Sequence, residues 1–312
     1  MITNNYNLPK ALYRAVCLDT HRAGGDFSTT QLLKSPREFW LSARHSSDQD
    51  AINRLWALMG TASHAVAERG EAENSLVEQY MKMEFNGVTL TGSLDLYEDG
   101  IIWDYKNVSV NKLFYFNNQS KTTLTAQANI YAYMFKKLFG FEVKGLKDLF
   151  IFRDWVKAKA MFDSSYPDYQ AQVVELPLYE EHQQKELILS RIDRLMKYKD
   201  TLDNELPECS KEYRWANPPI YKVYKEGNKK AVSGGANFST CLEAKCFLDS
   251  LDPKYKYRIE AIEGNEWKRC EYCEGREFCN QTQYIESEWR KPHKDLKVNL
   301  SYEDFKKEIE LW

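Results

Sequence analysis

Residues 92–106 read GSLDLYEDGIIWDYK, strand-forming residues on either side of an Asp-Gly pair. Asp-Gly between apolar-rich runs is the strongest short-range hairpin signal, because the favoured two-residue turn needs positive φ at both central positions. A turn at Asp99-Gly100 sets Glu98 opposite Ile101, Tyr97 opposite Ile102, Leu96 opposite Trp103 and Asp95 opposite Asp104. Alternation then gives one surface to Ser93, Asp95, Tyr97, Ile102, Asp104 and Lys106. The other, expected to be the core face, holds Leu94, Leu96, Ile101, Trp103 and Tyr105. Directly opposed carboxylates have Cβ atoms roughly 5 Å apart and repel. A divalent cation between them offsets the repulsion, and Lys106, about 7 Å along the face from Asp104, adds positive charge. A solvated charged face is the alternative that the hairpin alone leaves open.

Outward from the hairpin, residues 28–45 carry Ser/Thr capping residues and a break near Pro36, which predicts one or two short helices. Residues 50–70 predict a helix with Ile52, Leu55, Trp56, Leu58, Met59 and Ala62 on a broad apolar face. Strands are predicted at 77–85, 88–97 and 101–108 and a helix at 122–139. Further strands in DLFIFRDW and AQVVELPLY precede a charge-laced helix at 180–203. The core order is therefore helix, three strands, helix, strand, that of an α/β protein. The character changes at Pro207, where a hairpin, a helix and a strand form a small α+β module before a cysteine-bearing segment. The expected division is 1–206, 207–264 and 265–312.

A chain of 312 residues can bury a substantial core. Its net charge of −3 gives no global attraction to nucleic acid, so contacts to phosphate must come from local basic groups such as Lys112, Lys121 and Arg153. The N-terminal MITNNYNLPK has no signal-type apolar stretch and no apolar run approaches a membrane span, so a cytoplasmic protein without a membrane partner is expected. Seven cysteines in such a chain are better read as thiols or metal ligands than as a disulfide framework.

His64 lies in GTASHAVAERG, with Gly60 and Glu68 four residues to either side on the same helical face. The poor helix former Gly60 suggests close approach of another element. A neutral imidazole suits a cation held by two aspartates. Gln127 and Tyr131 share the i, i+4 spacing on the helix after the hairpin. Glu68 and Glu84 are read as structural.

This set, His64, Asp95, Asp104-x-Lys106 and Gln127-x-x-x-Tyr131, resembles the RecB-like branch of the PD-(D/E)XK nuclease superfamily over most of residues 28–203. The resemblance implies a restriction-endonuclease-like fold, a mixed central sheet flanked by helices. It implies that His64, Asp95, Asp104 and the main-chain carbonyl of Tyr105 bind Mg²⁺ or Mn²⁺. Lys106 is then expected to act at the attacking water or scissile phosphate, with Gln127 and Tyr131 positioning substrate.

CEYCEGREFC supplies Cys270, Cys273 and Cys279, a C-x2-C-x5-C spacing that signals metal or cluster binding more strongly than a lone C-x-x-C. The segment resembles the tail of iron–sulfur nucleases, including CRISPR adaptation nucleases and helicase-nuclease subunits. Those proteins carry a further cysteine before the core, where this chain has Ser35 in KSPREFW. Cys209 is the preferred fourth ligand, in an LPEC context resembling phage-encoded nucleases. Cys17, Cys241 and Cys246 are the other candidates, the last two expected to pack inside their helix. Four thiolates suit zinc or [4Fe-4S], which would tie the tail onto the core.

The expected activity is metal-dependent hydrolysis of DNA, as an exonuclease on single-stranded or free ends in phage or bacterial recombination, replication or repair. A helicase or recombination partner goes with that role, in the host cytoplasm if the chain is phage-encoded. A catalytically silent nucleic-acid-binding subunit is the alternative, and it would be marked by loss of an acid or the lysine.

Overall fold

Asp99 and Gly100 both adopt positive φ, 50° and 88°, and join strands Val88–Glu98 and Ile101–Val108 in the two-residue turn that their sequence specifies. Asn86 and Gly87, at 52° and 82°, make a like turn one strand earlier. The protein is described here from a computed structural model covering residues 2–18, 24–46, 48–70, 73–114, 118–235, 237–262 and 264–293. It divides into two units, Met1–Thr201 and Leu202–Trp312.

The first unit runs β1 (Ile2–Thr3), α1 (Lys10–Leu18), β2 (Phe27–Ser28), α2 (Thr29–Leu32), α3 (Pro36–Arg44), β3 (Gln49–Asp50) and α4 (Leu55–Ala67). It continues with β4 (Ser75–Phe85), β5 (Val88–Glu98), β6 (Ile101–Val108), α5 (Val110–Phe114), α6 (Asn118–Phe139), β7 (Gly145–Phe152), α7 (Lys157–Phe162), β8 (Ala171–Leu176) and α8 (Glu181–Met196). The fold is α/β, with a mixed central sheet in the order β2-β5-β6-β7-β8 and β4 paired to β5. Parallel β6 and β7 are joined through α6, the crossover that parallel strands require. Residues 125–135 of α6 are buried apart from half-buried Gln127. A helix apolar on most sides lies between layers, here the sheet and α8, whose Ile188, Ile192 and Leu195 complete the core.

β5 organises the site. One of its edges is paired along its length with β4. The other is shared, because β6 pairs only Leu96, Tyr97 and Glu98, while β2 pairs Leu90 and Thr91. The expected pairs Glu98–Ile101, Tyr97–Ile102 and Leu96–Trp103 form, but the ladder stops before Asp95 and Asp104. The sidedness also changes there. A Cβ on Gly92 would lie 2.8 Å from the Tyr131 ring, and Tyr97 packs on Phe135 with ring centroids 4.5 Å apart. Gly92 and Tyr97 thus both face α6 across an odd number of residues, which strict alternation forbids. Opposite the break, Glu78 of β4 sits at φ 49° and is skipped in the β4–β5 ladder between Val77–Leu96 and Gln79–Leu94.

The face assignment is corrected accordingly. Ile102, 1% exposed, lies in the core with Leu94, while Leu96, Ile101, Trp103 and Tyr105 are only half buried. α6 covers the face that carries Asp104 and Lys106, which excludes the solvated alternative there. α4 differs as well: none of its residues is buried, and Trp56 and Met59 are exposed.

In the second unit β9 (Ile220–Lys225) pairs antiparallel with β10 (Tyr257–Ile262), beside α9 (Cys241–Asp249). Short 3-10 turns, Lys268–Tyr272 and Arg276–Phe278, carry the cysteine segment into α10 (Asn280–His293). Of the segment 265–312 expected to return onto the core, residues 294–312 lie outside the described residues. No helix among the described residues is long and apolar enough to cross a membrane.

Candidate metal centre

α4 delivers His64, β4 delivers Glu78 and β5 delivers Asp95, and one ligand atom from each lies within 4.8 Å of the others. His64 Nδ1 is 3.0 Å from Glu78 Oε1 and 3.4 Å from Asp95 Oδ1. The hydrogen bonds to Asp95 and Glu78 outweigh partial burial and raise the imidazole to about 10, so without metal it is a cation between two carboxylates. The shared proton stands where a divalent cation would take the same three ligands. One imidazole and two carboxylates suit Mn²⁺, and with completing waters Mg²⁺.

Glu78 is the candidate ligand that the sequence did not point to. Its left-handed backbone is costly for a residue with a Cβ, and such strain gathers at functional sites. The conformation turns Glu78 toward His64 at the place where the ladder is interrupted. Asp95 exploits the same interruption: its Oδ2 accepts the Tyr105 N–H at 2.7 Å, replacing the missing strand pairing by a side-chain bond. Tyr105, expected to contribute its carbonyl, is thus linked to the site by its N–H. Its ring lies 6.3 Å from that of His64.

Asp104, Lys106, Gln127 and Tyr131 form a second, connected group. Lys106 pairs with Asp104 and donates to Gln127 Oε1 at 3.3 Å, and Gln127 Nε2 donates to Tyr131 Oη at 3.2 Å. Burial works against the Lys106 charge, but Asp104 and then Asp148 more than offset it, keeping the ammonium protonated above the ordinary lysine range. Burial raises Asp104, helped by the charge of Asp95 and opposed by Lys106. Burial with the nearby Asp104 charge pushes the Tyr131 phenol up to about 12. The two groups therefore meet through Asp95 and Asp104, although Asp104 contacts Lys106 rather than joining the His64 triple.

Asp148 is a further carboxyl that the sequence reading passed over. It lies in the row Leu146, Asp148, Phe150 and Phe152, alternate residues of β7 that are all buried, and it is the register partner of Asp104. Its Oδ2 is buried without a hydrogen-bond partner among the described residues. Burial, then the charge of Asp104, raises it to about 7.

Gly60 does not mark a close approach, since a Cβ there would meet nothing within 4 Å. Glu84 accepts from Thr89 Oγ1 at 2.6 Å, a structural contact. Ser35 is the N-cap of α3, its Oγ accepting the Glu38 N–H at 3.1 Å with Pro36 following, so the residue there serves the helix.

In the second unit Cys270 and Cys279 are buried, Cys209 and Cys273 half buried. Gln281, just past Cys279, brackets the Cys209 backbone, accepting its N–H at 2.8 Å and donating to its carbonyl at 3.0 Å. Burial raises the Cys270 thiol, while Thr282, Arg214 and Arg276 favour its thiolate. Among the described residues, His64, Glu78 and Asp95 are the one group of ligand atoms gathered within 4.8 Å, so the cysteine sulfurs are more widely set. Cys241 is half buried and Cys246 exposed, so Cys246 does not pack inside α9; Cys17 lies in the first unit, on α1.

No family model and no curated protein matches the chain. A solved structure titled "Crystal structure of SSO0001" is 14% identical with a TM-score of 0.39, covering 61% of this chain and 85% of that chain. A likeness of that size carries no argument.

Proposed function

We propose that the chain is a divalent-metal-dependent deoxyribonuclease of the PD-(D/E)XK, RecB-like type, acting on single-stranded ends in recombination, replication or repair. The observation that carries this reading is the adjacency of a three-ligand metal group, His64, Glu78 and Asp95, to a charged lysine held by Asp104 and Gln127. His64, Glu78 and Asp95 would hold Mg²⁺ or Mn²⁺, which would lower the pKa of a water nucleophile and offset charge on the phosphate.

The chain's own residues set the rest. Tyr105 fixes the rotamer of Asp95 through its N–H. Gln127, oriented by Tyr131, holds the Lys106 head in place. A lysine kept this firmly protonated neutralises charge developing on phosphate; it is unsuited to taking a proton from water. In the second unit, Cys209, Cys270, Cys273 and Cys279 would hold [4Fe-4S] or zinc as a structural group.

The test is digestion of end-labelled single-stranded, duplex and circular DNA with Mg²⁺ or Mn²⁺ by wild type and Lys106→Ala. Loss of about a hundredfold or more in rate is expected for the variant. Equal rates would sink the assignment.

A further inference from the structure

α4 carries a run of apolar residues that contribute nothing to the core: Trp56, Met59 and Val66 are 65%, 58% and 63% exposed. Scattered exposed apolar side chains are ordinary, but a run of them on one helix marks a surface with something to bind. Trp56 is also engaged. The guanidinium of Arg153 lies over its ring, 4.3 Å from the centroid, and Arg153 is itself exposed.

Two bearings locate this pair relative to the metal centre. Along α4, Trp56 precedes His64 by two turns, about 12 Å. Gly60 lies midway, and the space its Cβ would fill is open. Along the sheet, β6 carries Asp104 and Lys106 and ends at Val108, whose carbonyl accepts the Arg153 N–H at 3.0 Å. Helix and strand therefore place the pair to one side of the site, with an unfilled stretch of helix leading to His64. The charge on that side suits a polyanion, because Arg153 leads into α7 with exposed Lys157 and Lys159.

We propose that Trp56 and Arg153 form a platform for single-stranded nucleic acid, a base stacking on the indole and an adjacent phosphate meeting Arg153. The inference rests on the nuclease reading and names the residues that would hold the single strand. A stacking platform needs a base whose face is free, which an unpaired strand offers and a closed duplex does not. The distance to His64 is a few nucleotides of strand, so one chain occupies the platform and the metal centre together.

The test measures binding in EDTA, where metal-dependent cleavage is off, of a labelled oligothymidylate of about a dozen residues and a duplex of equal length. Trp56→Ala is expected to weaken the single strand roughly ten- to a hundredfold and Trp56→Phe much less, with duplex binding unchanged. Arg153→Ala should lower the slope of log affinity against log salt by about one. It reads the same platform independently of the tryptophan. Wild-type affinity in Trp56→Ala overturns the proposal. So does an equal loss for duplex and single strand, or a change in oligomeric state with oligonucleotide binding intact, which would make the face a contact between copies. Cleavage by Lys106→Ala judges the nuclease reading separately, so failure of one is distinguishable from failure of the other.

Discussion

Asp148 is an acid in a buried row of Leu146, Phe150 and Phe152, with one oxygen unpartnered, and its raised value of about 7 carries a direct consequence for stability. An acid whose folded value lies above its ordinary 3.8 holds its proton in the native state after the unfolded chain has released it. The native state then binds more protons, and stability falls as pH rises from about 4 to about 7, levelling above that. The shift bounds the loss at roughly 4 kcal/mol. Asp148→Asn removes the titration, so in EDTA its stability relative to wild type should improve between pH 4 and 7, measured by denaturant unfolding. Parallel profiles for the two proteins would show that Asp148 titrates normally. At this scale the sequence was legible where chemistry advertises itself: His64, Asp95, Asp104, Lys106, Gln127 and Tyr131 stand out by type and spacing, and the structure gathers them. Glu78 and Asp148 do not stand out. Each sits in a strand pattern that could equally point it at solvent, and only the neighbouring strand decides its surroundings.

The hairpin shows which parts of an element local sequence can specify. Asp99-Gly100 dictates the turn, and the turn dictates the first three pairs. The next pair does not form, and farther along the same edge of β5 the place of β6 is taken by β2, from residues far earlier in the chain, at Leu90 and Thr91. That competition is invisible in the fifteen residues quoted at the outset. The resulting gap lets Asp95 take the Tyr105 N–H and lets Glu78, at φ 49°, turn toward His64. Two substitutions test Glu78. Glu78→Gly relieves left-handed strain of about 1 kcal/mol, adds unfolded-state entropy of similar size and loses the bond to His64, so in chelator it should be about 1–2 kcal/mol less stable than wild type. Glu78→Gln keeps the strain and loses a charge-assisted bond to His64, costing about 1–2 kcal/mol. Both should weaken Mn²⁺ binding about tenfold or more by calorimetry, and wild-type affinity in both would remove Glu78 from the metal group.

Across the whole molecule, element order was the most readable level. Alternating apolar runs and glycine or proline breaks anticipated β4 to β8 and α6, because a buried sheet and its crossover helix need long periodic segments. The exposure of α4 was not legible, since periodicity reports an apolar face and not what covers it. The change of character near Pro207 falls close to the division of the chain after Thr201. That division implies separable stability. The second unit has a two-stranded sheet, one helix against it and a cysteine segment in which Cys270, Cys279, Gln281 and Thr282 are buried. So small a core is one that the proposed metal or cluster would stabilise by cross-linking. Cys279→Ser removes one proposed ligand and leaves the α6–sheet core untouched. In calorimetry of the intact chain it should lower a transition belonging to the second unit by about 10 °C or more while leaving the other within a degree or two. A purified wild type with visible-range absorbance lost in Cys279→Ser would mark the group as iron–sulfur. Full-strength metal content in the variant would instead remove Cys279 from the ligand set, because a buried hydroxyl in place of a thiol lowers stability by its own desolvation cost without any loss of metal.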